Sequence, residues 1–134
     1  MDGKLTLTVV TPERAVVSKV ECDEVTLPAE LGQLGILPGH TPLITLLGIG
    51  VVTYRDGNTK TSLAVRDGFA EIAGDQVRIL ADQAATRDAI DQGAAASERH
   101  AADLRRADVV GDEQLNAVNA DAAFADAKLQ VASN

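Results

Sequence analysis

The residues able to do chemistry in this chain are few, and their spacing does not join them into a site. His40 and His100 lie in different halves of the chain, and Cys22 is the single cysteine. Metal-ligand spacing is therefore absent, and no internal disulfide can form, which favours a cytosolic setting. A catalytic histidine needs a nucleophile and an orienting acid beside it, and no local pattern supplies them. The twenty Asp and Glu residues are spread as solvated charges on strand and helix faces, so a chance pair says nothing about acid–base catalysis. The nearest approach to a dinucleotide loop is Gly48-Ile49-Gly50-Val51-Val52-Thr53. It lacks the last glycine and runs into β-branched residues rather than a helix, so it reads as the entry to a strand. These residues lead to the expectation of no catalytic residue, no metal site and no cofactor.

The elements that must position any site fall into two groups. All four prolines and nine of the eleven glycines precede Asp82, whereas sixteen alanines and only six β-branched residues follow it. That is a change from strand and turn chemistry to helix chemistry, and it divides the chain into residues 1–84 and residues 85–134. In the first part Leu5, Leu7 and Val9 alternate with Thr6 and Thr8, the pattern of a half-buried strand. Further short apolar runs follow, among them Val25–Leu27, Leu43–Leu47, Thr61–Val65, Phe69–Ala73 and Val77–Leu80. Hairpin signals stand at Asp56-Gly57 and Gly74-Asp75. Many short strands with turns at this spacing indicate a β-sandwich or flattened barrel. Met1-Asp2-Gly3-Lys4 leads straight into strand residues without a signal-peptide pattern.

The second part reads as two helices. Ile90, Ala94, Ser97, Ala101 and Leu104 form one stripe, and Leu115, Val118, Ala122, Ala125 and Leu129 another, with Phe124 and Val131 beside it. Asp88 with Asp91 marks the first start; Gly111 ends the first helix and Asp112 caps the second. The short connection implies an antiparallel hairpin. Its stripes are mostly alanine, so the helices approach closely but remove little apolar surface from water, at ~0.8 kcal/mol per buried methylene.

Composition excludes several function classes. Only 2 % of residues are aromatic and the net charge is −8, which argues against nucleic acid and against direct contact with an anionic membrane. No apolar run approaches the roughly 20 residues of a membrane span. A length of 134 residues allows one modest core or a small domain plus an appendage, and a hydrophobic content of 46 % argues against disorder.

The stretch Gly32-Gln33-Leu34-Gly35-Ile36-Leu37-Pro38-Gly39-His40-Thr41-Pro42 holds three glycines and two prolines, which fix a rigid connection rather than a linker. Leu34, Ile36 and Leu37 anchor it to a core. It closely resembles the signature Gly-Glu-Leu-Gly-Ile-x-Pro-Gly-His-x-Pro-Leu of the epsilon subunit of F-type ATP synthases, whose mitochondrial homologue is called delta. The one departure is Gln33 in place of the family's acidic residue.

The resemblance implies an N-terminal ten-stranded β-sandwich followed by the two-helix hairpin. It further implies a non-catalytic rotor subunit of the central stalk, coupling proton translocation to ATP synthesis. The sandwich would bind the gamma subunit and the rotor c-ring. The hairpin would reach the alpha and beta subunits and modulate ATP hydrolysis. The chain would lie on the cytoplasmic face of a bacterial inner membrane, held there only through the complex. Glu30, Gln33 and His40 become interface residues, although each also reads as ordinary turn polarity or, for His40, a structural hydrogen bond. Some relatives bind ATP through [Ile/Leu]-Asp-x-x-Arg-Ala on the first helix. Here Ile90-Asp91-Gln92-Gly93-Ala94-Ala95 keeps Ile90 and Asp91 but has Ala94 at the arginine, so the phosphate-facing cation is lost. The residues alone also allow a free-standing β-sandwich that binds a small molecule or peptide, with a helical appendage.

Overall fold

The structure, a computed structural model, describes residues 3–133; the sequence reading of Met1 and Asp2 lies outside them. Eight strands are followed by a short 3-10 turn (Arg87–Ala89) and two helices. The strands are β1 (Leu5–Val10), β2 (Ala15–Cys22), β3 (Glu24–Ala29), β4 (Gly32–Ile36), β5 (Leu43–Leu46), β6 (Ile49–Asp56), β7 (Thr59–Ala73) and β8 (Gln76–Thr86). They pair in the order β2-β1-β8-β7-β6-β3-β4, with β5 added on β7. All pairings are antiparallel except β1 with β8.

Eight strands, rather than the expected ten, build the sandwich because β7 and β8 each serve both layers. Up to residue 66 the inward residues of β7 are odd, Leu63 and Val65; beyond residue 68 they are even, Ala70 and Ile72. The parity changes at Asp67 and Gly68, both with positive φ (57° and 112°). Strand β8 changes in step. Val77, Ile79 and Ala81 are buried, and Ala84 packs on the same core although it differs from them in parity. Register is preserved across the bend, with Arg66 opposite Gln83 and Gly68 opposite Ala81. A strand that reverses its inward face in this way carries the chain from one layer to the other. Two apolar runs that look like separate strands in the sequence, Thr61–Val65 and Phe69–Ala73, are thus one bent strand.

The core between the layers is aliphatic: Leu5, Leu7, Val25, Leu27, Ile36, Leu63, Ile72 and Ile79 are nearly or fully buried. Residues Gly32–Ile36, read as part of a rigid connection, form β4, because Ile36 and Leu34 pair opposite Val25 and Leu27. Of the three expected anchors Ile36 is buried and Leu34 is half-buried, while Leu37 is exposed. An ionic clamp closes one end of the sandwich. Lys4 Nζ lies 2.7 Å from Asp56 and 2.8 Å from Asp23, and the Gly57 N–H donates to Asp23 at 2.7 Å. The hydrogen bond from Lys4, then that from Gly57, hold the Asp23 carboxyl below the usual range.

Helix α1 (Gln92–Arg106) and helix α2 (Gly111–Ser133) form the hairpin. Asp91 caps α1, its carboxylate accepting the Ala94 N–H at 3.0 Å. Helix α1 ends at Arg106, five residues before the expected Gly111, its last carbonyls taken by the N–H groups of Ala107, Asp108 and Val109. Gly111 instead opens α2, and Gln114 reaches back to the Val110 N–H. The stripe on α1 is rotated by one residue from the expected one. Ala95 and Ala102 are buried with Arg99 and Arg106 half-buried, while Ala94, Ala101 and Leu104 are exposed. On α2 the expected Val118, Ala122 and Ala125 are buried. Phe124, Ala127 and Val131 form a second line that packs on Val51 and Ala64, with Ile49 and Ile90 at the margin. The hairpin therefore rests on the outer face of β6 and the first half of β7, through α2.

Candidate interaction site

The sandwich has a second outer face, on β5, the end of β7 and the start of β8, and the helices leave it bare. Leu46 pairs with Phe69, and Phe69 with Leu80; Leu80 in turn lies beside Val10 of β1. Directly paired residues share a face, so three large apolar side chains stand in one row, at 58, 42 and 40 % exposure. The next row outward runs Ile44, Glu71, Arg78 and Thr8, with Ile44 exposed. The intervening residues Ala70, Ile72, Val77 and Ile79 are buried in the core. A contiguous apolar row flanked by opposite charges is the composition of a protein-contact surface.

Glu30 and Gln33 come together at the end of the β3–β4 hairpin. Glu30 and Leu31 form its two-residue turn, and Gln33 pairs with Pro28; Glu30, Gln33 and Leu31 are all exposed. Leu31 is fully exposed at the tip. The Leu47–Gly48 corner lies alongside, through a bridge from Ala29 to Leu47 and a Gly48 N–H bond to the Pro28 carbonyl. His40 does not join them. It follows the opposite end of β4, in a turn where Gly39 takes φ 83° and the His40 N–H bonds the Leu37 carbonyl. Proline at the second and a left-handed glycine at the third position suit a type II turn. The Gly39 N–H donates to Asp75 at 2.7 Å, tying this loop to the β7–β8 turn. The half-buried His40 places Nδ1 2.6 Å from the Thr41 carbonyl. Nδ1 must donate there, because a carbonyl oxygen only accepts.

Ile90 and Asp91 border an open cleft of about 480 Å³ between the sandwich and the hairpin. Ile90 packs toward Phe124 and Val131, and Asp91 is committed to its helix cap. Glu13, Arg14, Asp91, Glu98 and Lys128 are its charged lining residues. Lys128 is already bound to Glu98 at 2.6 Å and lies 4.9 Å over the Phe124 ring. Arg14, the other cation of the lining, belongs to the β1–β2 connection, so no cation stands on the helix at the position of the missing arginine.

The bare row was not singled out in the sequence. Its signal is the run Leu43-Ile44-Thr45-Leu46-Leu47, which puts large apolar residues on both parities of one strand, as a strand covered on both faces requires. Among the described residues no helix is long and apolar enough to cross a membrane. No group of three or more His, Cys, Asp or Glu among them is placed to hold a metal ion.

Comparison with known proteins agrees with this architecture. Residues 4–87 match the family model described as ATP synthase, Delta/Epsilon chain, beta-sandwich domain. An ATP synthase epsilon chain 2 from Syntrophotalea carbinolica is 40 % identical over 133 residues, 98 % of this chain and 96 % of its own length. An ATP synthase epsilon chain from Solibacter usitatus is 48 % identical over 91 residues, 68 % of this chain and 67 % of its own. Among solved structures, a chain of the Euglena gracilis mitochondrial ATP synthase (OSCP/F1/c-ring, rotational state 1) matches with a TM-score of 0.80 at 18 % identity, over 100 % of this chain and 86 % of that one. A chain of the Tetrahymena thermophila mitochondrial ATP synthase (central stalk/c-ring) matches at 0.54 and 16 % identity, over 64 % and 69 %. The structural matches support the fold alone. The matched sandwich and the near-full-length relative show that this chain belongs to the epsilon-chain family of F-type ATP synthases.

Proposed function

We propose that the bare row Leu46, Phe69 and Leu80 is the face by which this rotor subunit binds the gamma subunit. The observation that carries the reading is the contrast between the two outer faces: one is covered by the chain's own hairpin, and the other exposes large apolar side chains to water. At about 25 cal/mol per Å², covering such side chains is a substantial gain for any partner that fits. The c-ring meets a different feature, the exposed end of the β3–β4 hairpin, where Glu30 and Gln33 flank Leu31. Gln33 there supplies a neutral hydrogen bond where the family signature has a carboxylate. His40, at the far end of β4, is an interface residue of a separate contact. The hairpin reaches the alpha and beta subunits and modulates hydrolysis. The chain itself breaks no bond. It transmits rotation between proton translocation and ATP synthesis, on the cytoplasmic face of a bacterial inner membrane.

Phe69→Asp tests the central assignment. Phe69 is partly exposed, so the fold should persist, as circular dichroism would record. Binding to gamma in a pull-down or titration should weaken at least about tenfold, the scale of a hot-spot loss. Unchanged binding with intact fold would reject this face.

A further inference from the structure

Among the described residues the hairpin and the sandwich are joined by one ionic contact, which differs from the other ion pairs of the tail in the elements it connects. Asp121, on α2, accepts from Arg66 Nη1 at 2.8 Å and from Arg105 Nη2 at 2.6 Å. Arg66 belongs to β7 and Arg105 to α1, so one carboxylate binds three elements. The remaining pairs of the hairpin are internal to it: Arg99 with Asp103 and Asp126, Arg106 with Asp103, and Lys128 with Glu98. Among the described residues, Arg66–Asp121 is the only ion pair that crosses from helix to sandwich.

Its surroundings give it weight. The apolar part of the docking contact is thin: Phe124 is its one aromatic side chain, Ile49 and Ile90 stand at its margin, and Val131 and Ala127 are set against Val51 and Ala64. Such small residues leave a large share of the docking free energy to polar contacts. Arg66 is held in place by the Asp67–Gly68 bend that follows it, and its side chain is only 24 % exposed. Its other acidic neighbour, Asp67, stands at 3.9 Å, the outer limit of an ion pair. Losing Asp121 would leave a partly desolvated guanidinium poorly answered. Asp121, in contrast, would keep Arg105. The contact is thus lopsided: separating the hairpin from the sandwich costs Arg66 its close partner, while the hairpin keeps its own.

We propose that Arg66–Asp121 is the latch that holds the intact hairpin docked on the sandwich, and that Arg105–Asp121 holds the hairpin closed without contributing to docking. The first statement concerns the free chain. Its regulatory consequence, that opening the latch changes ATP hydrolysis, rests on the modulatory reading of the hairpin above.

The two arginines give the test its resolution. Amide hydrogen exchange is measured on the full chain and on Arg66→Ala, Asp121→Asn and Arg105→Ala. Arg66→Ala should speed exchange in both α1 and the second half of α2 about five- to tenfold, the effect on a local opening of losing a hydrogen bond worth about 1 kcal/mol net. Amides of β1, β3 and β8 should not change. Arg105→Ala should speed exchange in α1 but leave the second half of α2 at its wild-type rate. Asp121→Asn, which alters no sheet residue, should reproduce both effects and guards against a folding defect in Arg66→Ala. The latch is overturned if Arg66→Ala and Asp121→Asn leave α2 exchange unchanged, or if Arg105→Ala frees α2 as much as Arg66→Ala does. Hydrolysis by the assembled complex is scored separately. Faster exchange with unaltered hydrolysis would uphold the latch and reject the modulatory role.

Discussion

At the residue scale, Gly68 has the most demanding environment in the chain. A Cβ on it would sit 1.9 Å from the Leu80 carbonyl oxygen, and its φ is 112°. No side chain can be accommodated there without separating β7 from β8, where the two strands pass between layers. Gly68→Ala should therefore cost about 3 kcal/mol or more, from combined overpacking and backbone strain, read as a lowered denaturation midpoint. Gly35→Ala is the control: Gly35 has ordinary φ and open space at its Cβ position, so its change should be near neutral. Equal stability of the two variants would refute the bend as the organising feature. Nothing in the local sequence Arg66-Asp67-Gly68-Phe69 separates this glycine from a routine turn glycine. The requirement comes from Leu80, twelve positions away, through strand pairing. Asp91 is the reverse case. Its role as a helix cap follows from its place before an alanine-rich run, and the structure adds only the partner, Ala94.

At the element scale, periodicity gave the existence of both helices but not the exact face of α1. Ala94–Ala95–Ala96 and Ala101–Ala102 offer several equivalent small-residue stripes, and alanines are too alike for hydrophobicity to choose among them. The choice falls to the ions that flank the seam, Arg99, Arg105 and Arg106, whose partners on α2 and α1 set the rotation. Ala102 is thereby fully buried against Val118 and Ala122, while Ala101 faces outward. Ala102→Leu should push the helices apart and destabilise the hairpin by about 1–3 kcal/mol. Ala101→Leu should be close to neutral. Hydrogen exchange or thermal unfolding of the tail distinguishes them, and the opposite order would restore the stripe through Ala94, Ala101 and Leu104.

At the scale of the whole molecule, the sandwich core and the hairpin are separate clusters. Among the described residues no apolar side chain beyond Ala84 takes part in the core between the layers. A chain ending at residue 87 should fold, keep its sheet spectrum and still bind gamma through the face opposite the hairpin. It would expose Ile49, Val51 and Ala64, so some loss of solubility is expected. A chain ending at Asp82 should be less stable, because Gln83–Thr86 pair with Leu63–Arg66 and would be missing. Unfolding of the chain ending at residue 87 would show that the hairpin supplies structural support. The sequence by itself determined the division into a strand-rich part and an alanine-rich part, the aliphatic core, the two helices and the rigid signature that points to the family. These are local or compositional properties, fixed by the side chains and backbone preferences of neighbouring residues. The tertiary structure alone decided that β7 and β8 cross between layers, that Glu30 and Gln33 share one end while His40 lies at the other, that Arg66 meets Asp121, and which outer face stays bare. Each depends on contacts between residues far apart in the chain, and a strand's pattern records that a face is apolar without recording what will cover it.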